Sequence, residues 1–101
     1  MIGAGGFVGR HVMRGCACGR FAVTPFYGPD DAAEERGKPF FRGDVRDSAL
    51  LERAFRGVEL VIHAAGPPSV AGSFSDPEAY VDIHARGAAL VAAAARAAGV
   101  Q

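Results

Sequence analysis

The opening segment MIGAGGFVGRHV places glycine at positions 3, 6 and 9, with a further glycine at position 5. Glycines spaced in this way between a strand and a helix serve three ends. One permits a tight turn, one lets backbone approach a pyrophosphate, and one lets the helix lie close on the sheet. The start of the helix then presents unpaired N–H groups and a partial positive charge to phosphate. The spacing is G-x-x-G-x-x-G; the commoner G-x-G-x-x-G would need glycine where Val8 stands. Taken alone, such a loop is as often a plain turn as a nucleotide site.

Few other residues are arranged for chemistry. Cys16 and Cys18, one residue apart, point to different faces of an expected helix and make neither a disulfide nor a zinc site. They read as small apolar residues, and unpaired cysteines fit a reducing cytoplasm. His11 reads as a surface helix residue and His63, inside an apolar run, as structural. No Ser-His-Asp order or metal-ligand cluster is present in the sequence.

The elements that must hold the glycine loop alternate. Residues 20–26 (RFAVTPF), 40–42 (FFR) and 58–65 (VELVIHAA) read as strands. The last is nearly continuous in apolar residues, as strands buried on both faces are. Pro25 is expected near the end of its strand, since proline cannot donate to a ladder. Helices are expected over 6–18, with Val8, Val12 and Cys16 on one face; over 47–55, capped by Asp47; and over 76–99. In the last, Asp76 is a natural cap, Pro77 suits the first helical position and Glu78 favours the positive helix end. Gly19, Gly57 and Gly99 close these helices. Alternation of this kind predicts an α/β fold, a doubly wound parallel sheet with helices on both faces.

By that rhythm only Met1 and Ile2 precede the loop where a whole strand belongs, and only Val100 and Gln101 follow Gly99 where another should start. The expectation is an internal piece of a longer protein, poorly folded alone and a weak ligand binder, because neighbours of a missing central strand lose ladder partners.

Bulk properties bound the function. A chain of 101 residues is one domain at most, and its 11 basic and 11 acidic residues leave no electrostatic footprint for nucleic acid. No run approaches the ~20 apolar residues that span a membrane, and a first segment without a basic stretch before a long apolar one leads to the expectation of no signal peptide.

Together the segments GAGGFVG, RGDVRD (residues 42–47), VIHAAG (61–66) and SDPEAYVDIHARGAALVAAAARAAGV (75–100) resemble the extended short-chain dehydrogenases/reductases, the NAD-dependent epimerase/dehydratase group. The resemblance covers nearly the whole chain and implies residues 1–101 to be part of a Rossmann-like NAD(P)-binding domain, with substrate and catalytic regions outside it. It implies that Gly3, Gly6 and Gly9, with the backbone of Phe7 and Val8, cradle the pyrophosphate. Asp44 would accept from the adenine amino group, with Val45 beside the ring. Ala64, Ala65 and Gly66 would let ribose and phosphates lie against bare backbone.

Three departures stand out. The family's acidic residue at the end of the second strand, which binds ribose hydroxyls, would fall near Phe26 or Tyr27. Asp30 and Asp31 have about the right separation from the loop, but Gly28 and Pro29 are expected to carry them past the site, so NAD and NADP both remain open. The family's usual asparagine is His84, which reads as a partly buried helix histidine. The family's tyrosine–lysine pair is absent: neither Tyr27 nor Tyr80 has a lysine four residues on, and Lys38 is the only lysine. No catalytic residue is assigned.

The resemblance implies a parent that transfers hydride between NAD(P) and a carbonyl or alcohol carbon, on a nucleotide-sugar or sterol-like substrate. A homodimer of that parent is the one protein partner it raises. Two alternatives stand beside it: a non-catalytic NAD(P)-binding regulator or assembly subunit, and a truncated fragment without function.

Overall fold

The computed structural model describes residues 1–32 and 37–100. Helix α1 spans Phe7–Cys16, strand β1 Phe26–Tyr27 and strand β2 Phe41–Arg42. Helices α2 (Ser48–Ala54) and α3 (Val70–Ser75) follow. A last helical stretch comprises α4 (Pro77–Val81), a π-helical segment (Asp82–Gly87) and α5 (Ala88–Ala97). Among the described residues no helix is long and apolar enough to cross a membrane.

The sheet is parallel throughout. Phe26 pairs with Phe41 and Tyr27 with Arg42, while Ile2 bridges Phe26 on one side and His63 on the other. The spatial order is therefore β2, β1, Ile2, His63. With Ile2 standing for a first strand, this is the 3-2-1-4 half of a doubly wound Rossmann-type sheet, here in incomplete form. The short first segment fills the central slot. The Ile2 amide donates to Ile62 O at 2.9 Å, its carbonyl accepts from Ala64 N at 3.0 Å, and Met1 O accepts from Phe26 N at 2.9 Å. The expected loss of ladder partners is thus made good at this one level.

Pairing is shorter than expected. Of residues 20–26, only Phe26 is in a strand, and of 58–65 only His63 forms a bridge. Pro25 lies before β1 rather than at its end. Its missing N–H costs nothing there, and its carbonyl accepts from Phe41 N at 2.9 Å.

Local chemistry explains the helix ends. Asp47 accepts from Leu50 N at 3.0 Å and Asp76 from Ala79 N at 3.1 Å, with Pro77 first in its helix. After α5, Gly99 N donates to Arg96 O at 3.1 Å and Val100 N to Ala95 O at 2.9 Å. Gly99 has φ 70°, which completes a Schellman stop. Helix α1 ends at Cys16, so Cys18 lies beyond it and is exposed. Helix α3, capped by Ser69, follows the two prolines unanticipated by periodicity.

The core gathers Ile2 and Phe26 from the sheet, Val45 after β2, Leu51, Ala54 and Phe55 at α2, and Val91 of α5. Leu50, Ile83, Leu90 and Ala94 pack around it. Among the described residues this cluster does not include α1. Of the expected Val8–Val12–Cys16 face, Val12 and Cys16 are half-buried, but Val8 is 57% exposed and Gly9 is buried in its place. The helix is rotated to bring its glycine, not its valine, against the chain beneath.

Two predictions follow from this packing. Leu51 is fully buried, so Leu51→Ala should lose about 2–5 kcal/mol in urea unfolding, or abolish the cooperative transition. The second concerns His63, whose Nδ1 is buried without a partner among the described residues. Burial, and then the neighbouring His84, holds its imidazole below the usual histidine range. The folded state keeps it neutral while the unfolded chain protonates at about pH 6.5. Its contribution is present above that value and lost as pH falls toward the lower folded value. In thermal melts between about pH 6.5 and 5, His63→Gln should therefore lose less stability on acidification than the unaltered chain.

Candidate functional site

The chain leaves the sheet at Ile2 and turns at once. Gly3 has φ 79°, a left-handed conformation that side chains other than glycine rarely take. Both Gly3 N (3.1 Å) and Ala4 N (3.2 Å) donate to Phe26 O. A Cβ on Gly3 would lie 2.5 Å from Ala64 O and 2.7 Å from Ala65 N. The turn is therefore in direct contact with the small residues that end the neighbouring sheet segment. A Cβ on Gly9 would overlap the Gly3 carbonyl oxygen and crowd Ala4. Only glycine lets α1 lie this close.

Gly6 differs. A Cβ there would meet only Gly3 O, at 3.4 Å, among the described residues. Gly6 is exposed, and it is the N-cap of α1 with no side chain to cap it. Its own amide donates to Gly3 O at 3.1 Å. The amides of Phe7 and Val8 are first-turn donors, which an α-helix leaves without an internal acceptor. Phe7 is 79% exposed. Two glycines are thus closed in by protein and the middle one opens outward, beside the positive end of a ten-residue helix. The donors and the missing side chain suit a phosphate group.

The acidic residue that resemblance placed elsewhere is also here. Asp31 Oδ2 accepts from Gly28 N at 2.9 Å, and Asp31 N donates to Gly28 O at 3.2 Å. Arg42 Nη1 donates to Asp31 O at 2.6 Å and to Pro29 O at 3.5 Å. A Cβ on Gly5 would lie 2.6 Å from Asp31 Oδ2. Gly28 and Pro29 do not carry Asp31 past the loop, as expected, but fold it back onto Gly5. The reason is that the carboxylate satisfies the Gly28 amide three residues back, while the Asp31 amide donates to the Gly28 carbonyl. A cleft of about 450 Å³ opens here, lined among others by Gly5, Arg10, Asp31 and Lys38.

Asp44 lies just past β2 with its carboxylate engaged. Oδ1 accepts from the Arg46 backbone N and from Arg46 Nε, each at 2.8 Å, and Oδ2 accepts from Arg46 Nη2. Arg46 Nη1 donates to Asp82 Oδ2 at 2.6 Å, and Arg86 Nη1 reaches Asp82 Oδ1 at 3.4 Å. The Arg46 hydrogen bonds hold the Asp44 and Asp82 carboxyls below the usual carboxylate range. Val45 is buried in the core, where its Cγ2 would sit 2.9 Å from a Cβ on Gly87.

The π-helical segment ties these parts together. Asp82 grips Arg46 and Gly87 packs on Val45, while His84 lies against Gly66, whose Cβ position its ring would occupy. His84 Nε2 donates to Pro67 O at 3.2 Å. The tautomer is assigned from the carbonyl, which can only accept. His84 is exposed rather than partly buried, because its ring lies along the outer side of the Gly66 and Pro67 backbone. Single-turn π segments recur at functional sites.

The expected site residues thus fall into two groups. Gly3, Gly6, Phe7, Val8 and Gly9 form one unit, with Ala64 and Ala65 in contact with it. Asp44, Val45 and Gly66 are joined through the π-helical segment instead. Unforeseen were Arg42, Arg46 and Asp82. Arg46, two residues after Asp44 in RGDVRD, was the one with a local signal.

A family model described as the NAD dependent epimerase/dehydratase family matches residues 1–101. The chain is 38% identical over 64 residues to a UDP-glucose 4-epimerase of Neisseria meningitidis, covering 61% of this chain and 19% of that one. It is 32% identical over 98 residues to a 2-alkyl-3-oxoalkanoate reductase of Shewanella oneidensis, covering 96% and 24%. In three dimensions it resembles a Thermus thermophilus UDP-glucose 4-epimerase solved in complex with NAD, with a TM-score of 0.88, 30% identity, and coverage of 99% of this chain and 34% of that one. The chain therefore spans about a fifth to a third of the length of these relatives. With the glycine turn, the parallel sheet order and a match over its entire length, the chain belongs to the NAD-dependent epimerase/dehydratase family.

Proposed function

We propose that this chain is the coenzyme-holding portion of an enzyme that moves hydride between NAD and an alcohol or carbonyl carbon, with a nucleotide sugar as the substrate class. The observation that carries it is the contrast among three glycines: Gly3 and Gly9 have no room for a side chain, while a Cβ on Gly6 would touch only Gly3 O, at 3.4 Å, among the described residues. A plain turn needs the first two only. Bareness at Gly6 gains meaning if something outside the chain approaches there.

When bound, NAD supplies the hydride acceptor; the residues of this chain bind and orient it. The Phe7 and Val8 amides, at the head of α1, hold pyrophosphate oxygens. Ala64, Ala65 and Gly66 let the sugar-phosphate stretch approach backbone, with His84 fixing the outer side of that turn. Asp44 accepts from the adenine amino group, and one acceptor position on its Oδ2 is still open. Residues 1–101 thus form the coenzyme half of the domain. The epimerase relatives and neighbours support a nucleotide-sugar substrate. No residue of this chain is assigned a catalytic role.

Asp31 favours NAD over NADP. Its carboxylate, turned toward Gly5 on a backbone that Arg42 braces at the Asp31 carbonyl, suits ribose hydroxyls, which donate to it, and repels a 2′-phosphate. Arg10, Arg14 and Lys38 line the same cleft with Asp30 and Asp31, so removing one carboxylate leaves three cations facing a single acid.

Two titrations test this reading. Gly6→Val should keep the fold by circular dichroism while weakening NADH binding by about tenfold or more, because a branched side chain fills the approach to the amides. Equal binding by Gly6→Val and the unaltered protein would sink the proposal. Asp31→Ala should shift the NADH-to-NADPH preference toward NADPH by about tenfold; an unchanged ratio would remove Asp31 from coenzyme selection.

A further inference from the structure

Asp44 stands on irregular chain just past β2, where a short carboxylate is free to turn unless something holds it. Arg46 holds it from three directions: the backbone amide, Nε and Nη2 all donate to its oxygens. A carboxylate has about four acceptor positions, so this grip leaves one, on Oδ2. The Asp44 side chain is 37% exposed, which keeps that position accessible. The fourth donor of the group, Arg46 Nη1, reaches Asp82 Oδ2 at 2.6 Å on the π-helical segment. Asp82 is held from its other side by Arg86.

We infer that Arg46 is the positioning residue of adenine recognition: its fork fixes Asp44 so that a single acceptor meets the purine amino group, and its tie to Asp82 sets that orientation relative to the segment carrying His84. The guanidinium is suited to this because its donors lie in one rigid plane, which a lysine ammonium cannot reproduce. The hydrogen bonds from Arg46 also hold the Asp44 carboxyl below the usual carboxylate range, which favours the acceptor form, since a protonated carboxyl would present a donor to a donor. Exposed ion pairs add little to stability, so a network of this extent has more to do with geometry than with holding the fold. The inference rests on the coenzyme reading above.

The test compares NAD with its deamino counterpart, in which hypoxanthine carries a carbonyl oxygen in place of the amino donor. Affinities of both are measured for the unaltered protein, Arg46→Gln, Arg46→Lys and Asp82→Asn. The unaltered protein should prefer NAD by about tenfold. Arg46→Gln should bring the preference below about threefold, chiefly by weakening NAD rather than the analogue. Arg46→Lys should restore only part of it. Asp82→Asn, which leaves the Asp44 pair intact and frees the second arm, should lie between; it supplies the same ratio if Arg46→Gln fails to fold. A uniform loss for both dinucleotides with the preference intact would mean that Arg46 serves the fold alone, and would overturn the inference. Equal binding of both by the unaltered protein would overturn it, and the adenine role of Asp44 with it, while leaving the phosphate cradle at Gly6 standing. Binding of neither would overturn that reading and this inference with it.

Discussion

The contact between Gly9 and the carbonyl of Gly3 constrains everything around it. There is no space for even one methyl group between them, so the axis of α1 is brought down onto the turn it leaves. The turn cannot retreat. Ile2 is bonded to Ile62 and Ala64 on one side, and Phe26 O receives the Gly3 and Ala4 amides on the other. With both partners fixed, the first-turn amides of α1 emerge at a defined place above the ends of the sheet. Donors held in advance need no ordering when an anion arrives, which is the basis of preorganised binding.

A second constraint comes from the far end of the chain. Had residues 77–97 formed an unbroken α-helix, its side chains would repeat every 3.6 residues. The wider turn at Asp82–Gly87 shifts that register. Asp82, His84 and Gly87 then meet Arg46, the Gly66 turn and Val45 in that order. These contacts differ in kind. The Val45–Gly87 packing is buried and close, whereas the ion pairs are partly exposed and individually weak. Packing holds the segment in place, and the charged groups set how the side chains point.

Hydrophobic burial is concentrated between the sheet and the α2–α5 pair, where Ile2, Leu51 and Phe55 are nearly or fully excluded from solvent. Helix α1 stands outside that cluster among the described residues. Its attachment depends on backbone proximity rather than on large apolar side chains, so a glycine substitution strikes it directly while a core substitution acts on it only through the sheet. Phe7 and Val8 sit at its exposed end, on the rim of the open cradle.

What the sequence determined by itself was whatever a few neighbouring residues decide. Asp47 and Asp76 cap helices because the bond each makes is to an amide three residues on. Gly99 stops α5 for a similarly local reason, and the loop at Gly3, Gly6 and Gly9 is legible because its glycine spacing matches one turn and one helix start. Strand lengths were not legible, since pairing depends on which segments meet in space. Nor was the exposure of Val8, whose expected place on the inner side of α1 Gly9 takes against the Gly3 carbonyl. Asp31 was visible by its separation from the loop, but its return to Gly5 needed the Gly28 amide and the Arg42 brace, whose partners lie three and eleven residues away. Arg46 and Asp82 are 36 residues apart, and no periodicity relates them. Only the tertiary structure could join them, because a charge's partner is chosen by distance in space, which the order of residues along a chain does not record.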